Sequence, residues 1–325
     1  MFRRELFRFF LMTTMVVGLI LPTAASAQTA GADSAPDELF KLGNEAFTAG
    51  KVDDAITHYA QCVEKRPKFK EAWYNLGIAY STKKQHDKEI NAYKKAIDSD
   101  EKYSKAMYNL AMAYEDGGDD DKAINYYAKV ITLEPKAVDA YINLGILYAK
   151  KGRFVKAISE YEKAIEQDPE VPDAYFNMGI AYSKRARLDE NKETKNVLIK
   201  KEIDAYTKAV AKNNRYHKAW YNLAIAYNKL QDTKEEINAY MKAIEIKPEY
   251  PQALFNLAYA KQELKDNVQA IQYWKKYLSI AKELPEEKQF VTTAQAQLKK
   301  LEGSSAPSTD KVPAGTEKEE TANTP

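Results

Sequence analysis

Six asparagines recur in this sequence at the same place of a repeating pattern. An asparagine amide carries both a hydrogen-bond donor and an acceptor, so it can pair with the N–H and C=O groups of a peptide backbone whatever the peptide's sequence. A row of such amides could hold an extended chain at regular intervals. The six asparagines are separated by 34 residues, with one interval of 45, and are Asn75, Asn109, Asn143, Asn177, Asn222 and Asn256.

A large apolar or aromatic residue directly precedes each of these asparagines, and such side chains would form pockets beside the amides. We therefore predict a peptide-binding groove that contains the six asparagines together with four aromatic neighbours. A structural interpretation is the alternative, in which the same residues pack between adjacent repeats. The four aromatic residues are Tyr74, Tyr108, Phe176 and Tyr221.

No catalytic, metal or cofactor site is predicted. The three histidines, His58, His86 and His217, lie far apart and have no cysteine or carboxylate at metal-ligand spacing. Cys62 is the one cysteine, and we interpret it as a packing residue. The run from Gly117 to Asp121 lacks the alternating acids and the distal glutamate of a calcium loop, so a turn between helices is expected there. The chain is accordingly predicted not to be an enzyme.

The asparagines belong to a longer unit that recurs every 34 residues, which indicates a solenoid of stacked repeats. Each unit contains two helical patterns, because apolar residues recur at intervals of three, four and seven. Turn residues separate the two patterns, as in Gly117-Gly118-Asp119, and prolines such as Pro135 and Pro169 mark the end of the second. A small residue, Gly77 in one copy, would let the two helices approach closely.

The recurring order of Trp or Tyr, Leu, Gly or Ala, Tyr, then Ala or Glu, Tyr, Ala and Pro resembles the tetratricopeptide repeat. That resemblance implies an all-α fold, a right-handed superhelical solenoid of antiparallel helix pairs, with the asparagines on its concave surface. Seven repeats are predicted, at residues 36–69, 70–103, 104–137, 138–171, 172–216, 217–250 and 251–284.

Two groups within that family offer closer comparisons. The asparagine row resembles the peptide groove of the O-linked N-acetylglucosamine transferase repeats, although no glycosyltransferase domain follows here. The co-chaperone repeats that bind C-terminal carboxylates are a poorer match, because Phe40 and Asn109 stand where their groove has cations. Without those two cations the groove would hold two carboxylates poorly.

Repeat five and the two ends of the chain depart from the pattern. Repeat five has 11 additional residues between Tyr182 and Glu202, which predict a longer helix pair or a protruding loop, with partner contact as a functional interpretation. Residues 285–302 are predicted to be a capping helix, because Phe290, Val291, Ala294, Leu298 and Leu301 form one apolar stripe. Residues 28–35 are expected to be a flexible lead, and residues 303–325 a disordered tail.

The first residues have the plan of a secretory signal peptide. Arg3, Arg4 and Arg8 precede an apolar run of 13 residues, and small residues follow up to an expected cleavage site after Ala27. The mature chain would then carry 46 basic and 46 acidic residues, a balance that argues against nucleic-acid binding. No later segment is expected to cross a membrane, so the protein is predicted to be periplasmic or secreted.

The function predicted from these patterns is a non-enzymatic scaffold that binds an extended peptide or a partner helix, in a cell-envelope assembly. Two alternatives remain open at this point. The chain could assemble with copies of itself into a homo-oligomer, or the tyrosine faces could bind envelope glycans. The sequence does not identify the partner, because contacts to a peptide backbone are independent of its side chains.

Overall fold

The computed structural model describes residues 35–304, which contain fifteen α-helices and no β-strand. The all-helical fold predicted from the repeats is confirmed. The chain divides between Glu101 and Lys102 into two compact units. The first unit contains α1 (Pro36–Thr48), α2 (Val52–Lys65), α3 (Lys70–Thr82) and α4 (His86–Ser99). The second contains α5 (Ser104–Asp116), α6 (Asp120–Leu133), α7 (Val138–Lys150), α8 (Phe154–Gln167), α9 (Pro172–Leu188), α10 (Lys192–Lys212), α11 (His217–Lys229), α12 (Thr233–Ile246), α13 (Pro251–Glu263), α14 (Asn267–Ala281) and α15 (Lys288–Ser304).

The helices pair in chain order, and three residues join the two members of each pair from α1–α2 to α13–α14. In the first pair the loop is closed by Lys51 N–H donating to the Ala46 carbonyl at 2.9 Å, while Gly50 adopts a φ of +74°. This is the helix-ending motif in which a left-handed residue lets the last carbonyls find donors. Because the loop is so short, the second helix returns antiparallel to the first.

In four of the helix pairs, a glycine of the first helix lies directly against a tyrosine ring of the second. A Cβ atom placed on Gly145 would lie 2.5 Å from Cε1 of Tyr161, which is closer than two carbon atoms can approach. Gly43, Gly77 and Gly179 meet Tyr59, Tyr93 and Tyr206 in the same way. These tyrosine rings are almost completely buried, so the absent side chain is what makes room for the ring.

Repeat five is extended entirely by helix. Helix α9 has 17 residues and α10 has 21, compared with 13 and 14 in the preceding pair. At the base of the extension, Lys229 of α11 donates to both carboxylate oxygens of the buried Glu202, at 2.7 and 2.9 Å. Burial raises the pKa of Glu202, and the Lys229 contact opposes that shift. The extended pair is thereby fastened to the next repeat.

The last repeat is covered by a short 3₁₀ turn, Pro285–Glu287, followed by α15. The buried Glu287 carboxylate accepts hydrogen bonds from the Tyr277 hydroxyl and the Gln252 amide, both at 2.8 Å. Ala294 and Leu301 are buried against the repeat, whereas the Phe290 side chain is 48% exposed. The α-helix therefore begins three residues later than the capping helix expected from the sequence, and it includes residues 303 and 304 of the expected tail.

The predicted signal peptide, almost all of the predicted lead, and residues 305–325 lie outside the described residues. Within residues 35–304, none of the helices combines the length and the apolar character required to cross a bilayer.

The glycine–tyrosine contact can be tested by adding side chains of increasing size. Gly145→Ala should change stability by no more than about 1 kcal/mol, because the gain in helix propensity opposes the clash and because Ala111 already stands at this place in repeat three. Gly145→Leu should lose about 3 kcal/mol, since the larger side chain cannot be fitted by a small movement of the ring. Urea unfolding followed by circular dichroism measures both changes.

Gly303→Leu is the matched control, because no atom lies within 4 Å of a Cβ atom built on Gly303. It should leave the unfolding midpoint nearly unchanged. Equal losses for Gly145→Leu and Gly303→Leu would show that the contact with Tyr161 is not the cause.

Candidate peptide-binding surface

The predicted asparagines all lie on the first helices of their repeats and are all half-buried. Asn75 belongs to the first unit, on α3. The other five lie on α5, α7, α9, α11 and α13 of the second unit, and we call the side of these helices that carries them the asparagine face. Its asparagines are Asn109, Asn143, Asn177, Asn222 and Asn256.

Two asparagines of this face are hydrogen-bonded to the repeat before them. The Asn143 amide donates to the Tyr108 hydroxyl at 2.9 Å and to the Tyr127 hydroxyl at 3.3 Å. Asn256 repeats the arrangement with Tyr221 at 3.4 Å and Tyr240 at 3.1 Å. In both cases the NH₂ group is used inside the protein, and among the contacts of the described residues none engages the side-chain oxygen. That oxygen can still accept a hydrogen bond from a peptide N–H.

The two tyrosines that Asn256 contacts, Tyr221 and Tyr240, remain protonated near neutral pH. Burial raises the pKa of Tyr240 and that of Tyr221, and the hydrogen bond from Asn256 only partly opposes each shift. A protonated phenol accepts one hydrogen bond and keeps a proton to donate. The two hydroxyls beside Asn256 are therefore polar but uncharged.

The first unit uses a different pairing that the sequence analysis did not identify. Asn44 of α1 accepts hydrogen bonds from the Asn75 amide at 2.8 Å and from the Tyr59 hydroxyl at 2.7 Å. Asn44 is not in register with the row of six, and the other repeats carry Ile, Met or Tyr at its place. The polar Asn44 at a place that is otherwise apolar or aromatic is the feature of the sequence that could have indicated this pairing.

Asn177 and Asn222 differ from Asn143 and Asn256. The Asn177 amide donates to the Asp173 carbonyl of its own helix at 2.9 Å, so it does not connect two repeats. Asn222 is half-buried, and among the described residues no hydrogen bond engages either end of its amide. Asn222 therefore has both a donor and an acceptor available to a ligand, at the centre of α11.

The four aromatic neighbours pack against tyrosines of the second helices. The Tyr108 ring lies 5.4 Å from Tyr127, and the Tyr221 ring lies 5.8 Å from Tyr240 and 5.1 Å from Tyr250. Such ring pairs stabilise the contact between helices. Tyr108, Phe176 and Tyr221 are half-buried and therefore partly accessible, whereas Tyr74 is only 7% exposed. Tyr74 thus offers a ligand little surface.

The asparagine row ends at Asn256. The residue 34 positions later is Phe290 of α15, whose ring lies 5.4 Å from the Phe255 ring in an edge-on arrangement. Phe290 is exposed, and Phe255 is half-buried. The asparagine face therefore changes from polar to apolar at its C-terminal end.

The remaining reactive side chains do not form a site among residues 35–304. No group of three or more His, Cys, Asp or Glu residues in that range could hold a metal ion. The Cys62 thiol is buried and donates to the Pro36 carbonyl at 3.1 Å, and burial raises its pKa to about 11. The nucleophilic thiolate is therefore scarce at neutral pH.

The hydrogen bonds described above predict unequal effects of replacing two asparagines. Asn143→Ala should lower stability by about 1 kcal/mol, because it removes the donor that connects α7 to Tyr108 and Tyr127. Asn177→Ala should change stability by less than about 0.5 kcal/mol, since its amide binds a carbonyl of the same helix and alanine favours that helix. Urea unfolding compares them; a larger loss for Asn177→Ala would contradict the inter-repeat role of Asn143.

Family models match most of the repeat array. Two models described as tetratricopeptide repeat match residues 40–106 and 239–272. A third, the cilia and flagella-associated protein 70 middle TPR-like domain, matches residues 107–247. No curated protein matches the chain significantly.

Solved structures provide an independent comparison. The MamA protein is 27% identical with a TM-score of 0.50, over 56% of this chain and 94% of its own. A tetratricopeptide repeat protein from Parabacteroides merdae shares the fold at 16% identity and a TM-score of 0.55, over 82% of this chain and 98% of its own. The C-terminal part of a TPR repeat-containing protein from Cytophaga hutchinsonii also shares the fold. Its identity is 19% and its TM-score 0.64, over 80% of this chain and 99% of its own. The helix pairs, the glycine–tyrosine contacts and these matches agree: the chain belongs to the tetratricopeptide repeat proteins.

Proposed function

We propose that this protein is a non-enzymatic scaffold that binds an extended peptide, or a partner helix, along the asparagine face. The observation that carries the proposal is Asn222, a half-buried amide with both hydrogen-bonding ends available. On the same face, Asn143, Asn177 and Asn256 use their amide donors inside the protein. The repeat family supports an interaction role, because stacked helix pairs expose long surfaces to partners.

The individual asparagines would have different roles in this proposal. Asn143 and Asn256 would contribute only acceptors, because their NH₂ groups are bonded to tyrosine hydroxyls. Asn222 would contribute a donor and an acceptor to one peptide unit. The half-buried rings of Tyr221 and Phe176 would contact side chains of the same peptide. A bound segment would therefore be fixed most strongly at α11.

The proposal predicts that Asn222→Ala weakens peptide binding about tenfold while folding is unchanged, because two backbone hydrogen bonds to the peptide are lost. A partner would first be captured from envelope extract by cross-linking. The bound segment, synthesised as a labelled peptide, would then be titrated against each variant by fluorescence anisotropy. Methylating the peptide N–H that faces Asn222 should weaken wild-type binding and leave Asn222→Ala unaffected.

Asn125→Ala is the matched control, because Asn125 is exposed on a second helix away from the row. It should bind the peptide like the wild type. Equal binding by Asn222→Ala and wild type would overturn the role of the row. Light scattering over a concentration series separates the self-assembly alternative, in which the measured mass rises with protein concentration.

We infer separately that the chain is exported to the periplasm or beyond, where it would serve an envelope assembly. Support comes from the basic, apolar and small-residue order of residues 1–27. Mass spectrometry of the protein from its native source should find Gln28 at the N-terminus. Ala25→Gln should retain the precursor, because signal cleavage requires a small residue there. A mature protein that keeps residues 1–27 would contradict cleavage after Ala27.

A further inference from the structure

A lysine covers the face of one tyrosine in each of four consecutive repeats. The tyrosine lies near the end of the first helix, and the lysine lies on the second helix. The nitrogen-to-ring distances are 5.4 Å for Lys88 and Tyr80, 5.1 Å for Lys122 and Tyr114, 5.7 Å for Lys156 and Tyr148, and 5.8 Å for Lys201 and Tyr182. A cation at this distance is attracted by the negative face of the ring.

Repeat six keeps the tyrosine but changes the sign of the charge. Tyr227 is in register with the four covered tyrosines, and Glu235 is in register with the four lysines. A carboxylate is not attracted to the face of an aromatic ring, so Glu235 cannot cover Tyr227 as the lysine covers the tyrosine in the four preceding repeats. Burial raises the pKa of Tyr227, and the Glu235 charge adds to that shift, which is consistent with the carboxylate lying close to the phenol.

A cavity of about 820 Å³ opens at this place. Its wall is formed by residues of α10 to α14, with Trp220, Tyr227 and Tyr273 as the aromatic part. Met241, 45% exposed, supplies a flexible apolar surface on α12. We call this cavity the repeat-six cavity. None of the asparagines of the asparagine face lines it.

The charged side chains that line the repeat-six cavity are Glu235, Glu245, Lys242 and Lys276. Lys242 and Glu245 form an ion pair of 2.7 Å on α12, so they largely neutralise each other. Glu235 acts on Tyr227, and Lys276 is contributed by α14. The surroundings of Tyr227 therefore combine an aromatic face with a negative charge.

We propose that the repeat-six cavity binds a partner segment in which a lysine or arginine stands next to an apolar side chain. The partner's cation takes the place that the lysine occupies in the four preceding repeats, over Tyr227 and beside Glu235. The apolar side chain contacts Trp220 and Met241. This site is separate from the asparagine face, so the protein can hold two segments at once.

The test uses the full chain and short peptides as probes. Acetyl-Leu-Lys-Leu-amide and acetyl-Leu-Arg-Leu-amide should perturb the Trp220 indole signal in NMR titrations and bind about tenfold more tightly than acetyl-Leu-Glu-Leu-amide. The signal is assigned with Trp220→Phe. Equal binding of the lysine and glutamate peptides, or no binding of any of them up to their solubility, would overturn the proposal.

Charge reversal supplies the decisive variant. Glu235→Lys restores the internal cation over Tyr227, so it should keep the fold and reduce binding of the lysine peptide at least tenfold. Glu235→Gln should remove most of the preference for lysine over glutamate. Glu166→Lys, an equal charge change at an exposed position of α8, is the control and should bind normally. Loss of binding in Glu166→Lys as well would show a nonspecific charge effect and overturn the site.

Two further measurements separate the repeat-six cavity from the asparagine face and from self-association. The peptide bound by the asparagine face should bind Glu235→Lys as tightly as the wild type, so failure of one proposal does not entail failure of the other. Sedimentation without added peptide tests a second copy of the chain as the occupant. If the wild type forms a dimer that Glu235→Lys abolishes, the occupant of the cavity is a second copy of the chain. That result would overturn the proposed partner.

Discussion

The stacking of this protein depends on one buried tyrosine in the second helix of each of the first six repeats, a place that Trp274 takes in the seventh. In four repeats its ring lies where the side chain of a glycine on the first helix would be, which sets the distance between the two helices. In two places its hydroxyl also meets the asparagine of the following repeat, Tyr127 with Asn143 and Tyr240 with Asn256. The tyrosine at this place therefore fixes the spacing between the helices in four repeats, and in two others it connects the repeat to the next.

This arrangement changes the interpretation of the six regularly spaced asparagines. Regular spacing suggests six equivalent amides, but the structure uses their donors in different ways. Asn143 and Asn256 hold neighbouring repeats together, Asn177 binds its own helix, and Asn222 is left with both ends available. A buried polar group without a partner costs free energy, so the asparagines that face tyrosine hydroxyls form hydrogen bonds within the protein. An asparagine without such a partner keeps its amide available for a ligand.

Repeats five, six and seven depart from the common repeat pattern, and each departure changes the local structure. Repeat five lengthens both of its helices and is fastened to repeat six through Glu202 and Lys229. Repeat six exchanges a lysine for Glu235, and a cavity lies beside the uncovered tyrosine. Repeat seven is closed by Glu287 and α15. Stacked repeats depend mainly on their neighbours, so such local changes leave the rest of the array intact.

The sequence by itself determined the all-helical repeat, its period, the need for a small residue at Gly145 and its equivalents, and the helical propensity of residues 285–302. These follow from contacts local in the chain, which leave a regular pattern of residue types. It did not determine whether the addition to repeat five was helix or loop, nor which asparagines were free. Only the tertiary structure decided that Asn143 meets Tyr108, that Asn44 pairs with Asn75, and that a cavity opens beside Tyr227. Those outcomes depend on distances between side chains that are far apart in the chain, and such distances are fixed only when the helices have packed.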